Sequence, residues 1–150
     1  MKLEILNGSL IGVAEYLPKL QLKGRGNRAR QRLLKAVTEK LKIYFSDIED
    51  LKLDETDSEE EKEKKFVELN EENCVIDMTE YAGFMVTLSN LMQDYDYVIS
   101  TEKNNGMPSD SIIHDYIIDV LEEAIEKDRE KQLEENNVIQ FEGEEVNGNP

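Results

Sequence analysis

One histidine, one cysteine and two lines of charge are the side chains in this sequence with chemistry to offer. His114 is the single imidazole, the group best suited to moving protons near neutral pH. To act as a base it needs a nucleophile to serve and a third group to orient it, and no motif fixes a Ser or Cys partner for it. His114 sits at the edge of an apolar arc, where it reads as a packing or partly exposed side chain. Cys74, also single, reads as a small buried hydrophobe. One cysteine excludes an internal disulfide and fits a reducing compartment. There is no glycine-rich phosphate loop, no HExxH and no paired Cys/His ligand set, and Gly24-Arg-Gly26 is too short for a nucleotide fingerprint. The acidic run from Asp54 to Glu61 superficially has the look of a calcium loop. However, it places Glu59 where the turn needs glycine and Lys65 where the ion needs glutamate. The expectation is a non-enzyme with no metal and no cofactor.

Charge carries more. The 150-residue chain has a net charge of -16, yet four of its five arginines, Arg25, Arg28, Arg30 and Arg32, stand together. Residues 19–42 hold nine basic side chains and only Glu39 as an acid, a local +8 that leaves -24 for the remainder of the -16 total. Long-range repulsion disfavours nucleic-acid binding by the whole protein, and leaves it as the weakest alternative, through the basic segment 23–35. Projected at 100° per residue, Arg28, Arg32 and Lys35 lie opposite the apolar stripe of their helix, and with Arg25 they form a basic ridge for a partner. Arg30 points into the stripe, where an unpaired guanidinium is costly. It is expected to pair with a carboxylate of the acidic remainder. Asp115, Asp119, Glu122 and Glu126 line one side of the last helix. Carboxylates so spaced can imitate the phosphates of DNA, although such a ladder also serves simply as a solvated face.

The elements that position these groups follow from periodicity. Leu3-Glu-Ile5 starts as a short strand. Asn7 or Ser9 caps a first helix that ends at Pro18. A second helix spans about 27–50, with Leu33, Leu34, Val37, Leu41, Tyr44, Phe45 and Ile48 on one stripe. Residues 52–65 read as an acidic connector. Phe66–Leu69 and Cys74–Met78 read as a hairpin, and Thr79 caps a third helix reaching Tyr95. Tyr97–Ile99 offers a third strand before a loop over 101–109. A last helix opens at Ser109 or Ser111 and runs to about Leu133. Its wide apolar arc over 112–125 suits two neighbours, or one neighbour and a partner chain. The glycine-, asparagine- and glutamate-rich stretch 136–150 reads as a flexible, disordered acidic tail. The fold expected is mainly α (α+β): four helices with a small hairpin or three-stranded sheet, in one domain over 1–135.

The sequence resembles an uncharacterised family of small proteins encoded by phages and prophages of Gram-positive bacteria. The likeness rests on the opening Met-Lys-Leu with Asn7 and Leu10, on Leu22-Lys-Gly24 and Asn27-Arg-Ala-Arg30, and on Cys74-Val-Ile76. It extends through the Tyr81–Tyr95 helix and Tyr116-Ile-Ile-Asp-Val-Leu-Glu-Glu123, covering most of 1–125, with serine expected where Asn27 stands. The resemblance implies a phage origin and a host-cytoplasm setting, and brings no catalytic residues. With no segment long enough to span a membrane, the expectation is a phage accessory protein that binds a host or phage protein. It would inhibit a host or defence protein through the basic ridge or a DNA-mimicking acidic helix. The alternative is a virion-assembly or tail-module component that forms homo-oligomers through the apolar face of 112–125.

Overall fold

A computed structural model describes residues 1–95 and 110–147, with side chains described as far as residue 138. The chain runs β1 (Lys2–Leu6), α1 (Leu10–Tyr16), α2 (Gly24–Leu53), α3 (Glu59–Glu71), β2 (Asn73–Asp77), α4 (Ala82–Gln93) and α5 (Asp110–Asn147), with short 3-10 turns before α1, after α1 and before α4. The described residues are mainly helical, with five helices among them where four were expected. β1 keeps a period of two: Leu3 and Ile5 are buried while Lys2, Glu4 and Leu6 face outward. It pairs antiparallel with β2, Leu3 opposite Ile76 and Ile5 opposite Cys74.

The sheet corrects the expected hairpin. Phe66–Leu69 is not a strand but the last turns of α3, because Ser58 and Glu61 form a reciprocal capping box. Glu59, Glu60 and Glu61 then fill the first turn, where the helix dipole favours acids. β2 takes its partner from the distant N-terminus, whose Leu3 and Ile5 give the sheet a fully apolar inner face. The supposed connector 52–65 is correspondingly short. α2 continues to Leu53, and Asp54 then accepts from the Thr56 N–H at 2.9 Å and its hydroxyl at 2.6 Å. α3 has no buried residue. It is held by Asn7, whose Nδ2 donates to the Leu69 carbonyl at 2.9 Å, and by the Tyr44 hydroxyl donating to Asn70.

Leu33, Val37 and Tyr44 of the predicted α2 stripe are buried and Leu34, Leu41 and Ile48 partly so, but Phe45 is exposed. α2 starts earlier than expected, at Gly24, whose φ of +55° is open to a residue without Cβ. The apolar arc of α5 is spent on the chain's own core: Ile113, Ile117, Val120, Leu121 and Ala124 are all buried. That removes it as a self-assembly face, with Ile112 alone of the arc standing out in solvent. The backbone of α5 is helical through Asn147, into the stretch expected as a flexible tail. Every residue from 129 to 138 is exposed. Pairs at helical spacing, Glu123–Lys127 and Glu126–Arg129, brace the turns where α5 leaves the core. The expected strand 97–99 and loop 101–109 fall outside the described residues. Among those described, no helix is long and apolar enough to cross a membrane.

Candidate functional site

The predicted site residues lie on α2 and α5, which pack on opposite sides of α4. α4 carries no charged residue from Ala82 to Gln93. Met85, Leu88, Ser89 and Met92 face inward, whereas Gly83, Val86, Asn90 and Gln93 are exposed. On one flank the Arg25 guanidinium lies 4.3 Å over the Phe84 ring, and its Nε donates to the Thr87 hydroxyl at 3.1 Å. Arg32 lies 4.9 Å over Tyr81. These two members of the basic ridge therefore stack on aromatic faces while their side chains stay exposed. Arg28 and Lys35 are exposed, with no partner among the described residues. The order of contacts, Arg25 with Phe84 and Arg32 with Tyr81, makes α2 antiparallel to α4. The two helices approach closely: a Cβ on Gly26 would stand 2.6 Å from the Leu91 side chain.

Arg30 departs from expectation. Among the described residues it meets no carboxylate. Its Nη1 donates to the Leu20 carbonyl and its Nη2 to the Asn27 side-chain oxygen, while Nε is buried without an acceptor. The nearest oxygens are peptide and amide carbonyls because Arg30 points at the turn leading into α2, which contains no acid. It is a clasp, but an uncharged-acceptor one: it ties the first turns of α2 to the preceding loop.

On the other flank, α5 positions the acidic ladder. Asp115, Asp119, Glu122 and Glu126 are all exposed. Glu126 is met by Arg129 at 3.4 Å; the other three have no cation partner among the described residues. Between α4 and α5 runs an open groove of about 730 Å³, bounded by Val86, Asn90 and Gln93 on one side and Glu122, Ile125 and Glu126 on the other. The arrangement offers carboxylates to a cation beside a partly apolar floor.

His114 is a packing residue. It is 1% exposed, and its Nε2–H donates to the Met92 carbonyl at 2.8 Å. That tautomer leaves Nδ1 to accept the Tyr16 hydroxyl. The ring meets Tyr16 edge-on at 5.6 Å and Tyr95 at 5.8 Å, and Tyr95 accepts the Gln21 N–H at 3.1 Å. His114 thus joins α1, α4 and α5 from inside. Cys74 is half-buried; burial pushes its thiol up, opposed more weakly by Lys40. That keeps it protonated and a poor nucleophile. Sequence reasoning missed the two guanidinium–aromatic stacks, although Tyr81 and Phe84 at i,i+3 beside a basic helix were the available signal. No family model matches the chain, and neither the curated proteins nor the solved structures contain a match to it.

Proposed function

We propose that this protein works by binding another protein, and that the acidic outer face of α5 with the adjoining α4 groove is its contact. The observation that carries the reading is that Asp115, Asp119 and Glu122 stand exposed with no cation partner among the described residues on a long helix, next to a groove lined by Val86, Ile125 and, at one end, Arg129. Carboxylates at one-turn spacing repeat about every 5–6 Å along a helix, a pitch that suits a basic surface evolved to grip phosphates. The partner is then a host or anti-phage defence protein with a basic, nucleic-acid-binding groove, and occupancy of that groove inhibits it. The phage setting enters through the resemblance noted above.

The test is capture from host lysate with the wild-type chain and with Asp119→Lys/Glu122→Lys. One host protein retained by the wild type, lost on charge reversal and released by competing duplex DNA supports the reading. Equal capture by both forms, or capture of phage structural proteins instead, overturns it in favour of the assembly alternative.

A further inference from the structure

The α2–α4–α5 layer presents three parallel stripes: cations on α2, a neutral strip on α4, and carboxylates on α5. A surface helix ordinarily carries charge on its solvent side. α4 carries none over twelve residues in a chain that is 35% charged, so its exposed strip has the composition of a covered one. We propose that a second copy of this chain covers it, forming a two-fold dimer in which the α4 helices lie side by side in parallel.

Symmetry and charge together select that arrangement. A two-fold axis in the plane of the face and perpendicular to α4 would set α2 against α2 and α5 against α5, like charge on like. An axis parallel to α4 exchanges the flanks, so the cationic stripe of each copy meets the acidic stripe of the other. The levels also match. α5 runs antiparallel to α4, with His114 at Met92 and Glu122 and Glu126 beside the Val86 end of the groove. α2 is likewise antiparallel, with Arg25 at Phe84 and Arg32 at Tyr81. Arg25, Arg28 and Arg32 of one copy therefore stand at the height of Glu122 and Glu126 of the other, where they would share Glu126 with its own Arg129. Val86 and Asn90 lie nearest the axis. A helix of this length is about 18 Å long and neighbouring helices are spaced about 10 Å apart. The face thus buries on the order of 600 Å² per copy, at the lower end for specific interfaces, and the dimer is concentration- and salt-dependent. A basic partner competes with the second copy for the same carboxylates, but the dimer does not rest on that partner's existence.

The mass in solution is measured by light scattering against concentration and salt. Twice the chain mass of 17.3 kDa is expected at about 0.1 M salt, where the mutual repulsion of two copies of net charge -16 is screened beyond about 10 Å, falling to one mass toward about 1 M; one mass throughout overturns the proposal. The variants Arg28→Glu/Arg32→Glu and Glu122→Arg/Glu126→Arg should each be folded and monomeric, and should form a one-to-one heterodimer when mixed. Failure to pair on mixing overturns it. Should either fold poorly by circular dichroism, Asn90→Cys in a Cys74→Ala background decides instead. Parallel helices bring the two introduced thiols together, and a disulfide-linked dimer forms on mild oxidation. No cross-link, while a dimer mass persists, also overturns the arrangement.

Discussion

Arg30 and His114 show how a side chain's direction and its partner are separate questions. The helical projection places Arg30 among apolar neighbours correctly, because direction depends only on the 100° step. Its partner depends on where the preceding turn carries the Leu20 carbonyl, and no periodicity encodes that. With neutral acceptors, Arg30→Ala should cost about 1–2 kcal/mol in urea unfolding, and most of that cost should persist at high salt. Arg32→Ala removes an exposed stack on Tyr81 and should cost about 0.5–1 kcal/mol. Equal losses would mean that the two hydrogen bonds of Arg30 contribute no more than an exposed stack, and an Arg30 effect that vanishes with salt would show an ion pair instead. His114 was legible as a packing residue from its place beside the α5 arc, but its two hydrogen bonds were not. His114→Phe keeps a ring while removing the imidazole donor from the Met92 carbonyl, which the Tyr95 N–H still reaches at 3.3 Å, and the imidazole acceptor from the Tyr16 hydroxyl. A loss of about 2–3 kcal/mol is expected, seen as a fall of roughly 5–10 °C in Tm. Unchanged stability would mean that the ring's shape alone matters.

Elements were readable where the signal was local and misread where it was not. Leu3–Ile5, α1, α2, α4 and α5 follow from apolar period and breakers. The hairpin was misassigned because Cys74–Met78 has the pattern of a strand but not the address of its partner, seventy residues earlier. The capping box Ser58-x-x-Glu61 was the local signal for α3. Since α3 buries nothing, Ser58→Ala should cost about 1 kcal/mol of helix stability. The loss should appear as faster amide exchange within 59–71 and leave core amides untouched; a uniform change would make α3 part of the global unit. At the start of α4's turn, Asp77 accepts the Thr79 hydroxyl and N–H, and these hydrogen bonds hold its carboxyl below the usual range. Its folded value being the lower one, the stability it contributes is complete above the unfolded value of about 3.9 and disappears as pH falls through the folded value. Asp77→Asn should therefore lower Tm at pH 6 and converge with wild type in strong acid. A constant difference at all pH values would place the effect elsewhere.

For the whole molecule, the sum of charge was visible in the composition but its arrangement was not. That α4 separates the basic helix from the acidic one follows from antiparallel packing on both of its sides, a matter of tertiary register. The charge nonetheless makes one prediction that separates fold from assembly. The ion pairs described are mostly solvent-exposed: Lys127 reaches Glu4 at 3.5 Å and Glu123 at 3.1 Å, and Lys65 reaches Asp57 at 2.5 Å. Pairs of that kind contribute little each. A net -16 repels itself throughout the folded chain and less in the expanded one. Added salt screens that repulsion over about 10 Å at 0.1 M, so the Tm of the dilute monomer should rise with sodium chloride. The same salt weakens the cross-dimer contacts between α2 and α5. Heating a dilute and a concentrated sample over one salt series from about 0.1 M upward, where long-range repulsion between copies is already screened, then gives opposite slopes: the dilute Tm climbs, while the concentration-dependent increment shrinks toward zero. A Tm that falls with salt at high dilution would mean that local ion pairs outweigh global repulsion. An increment that survives at high salt would mean that apolar contact at Val86, rather than the facing stripes of charge, holds the copies together.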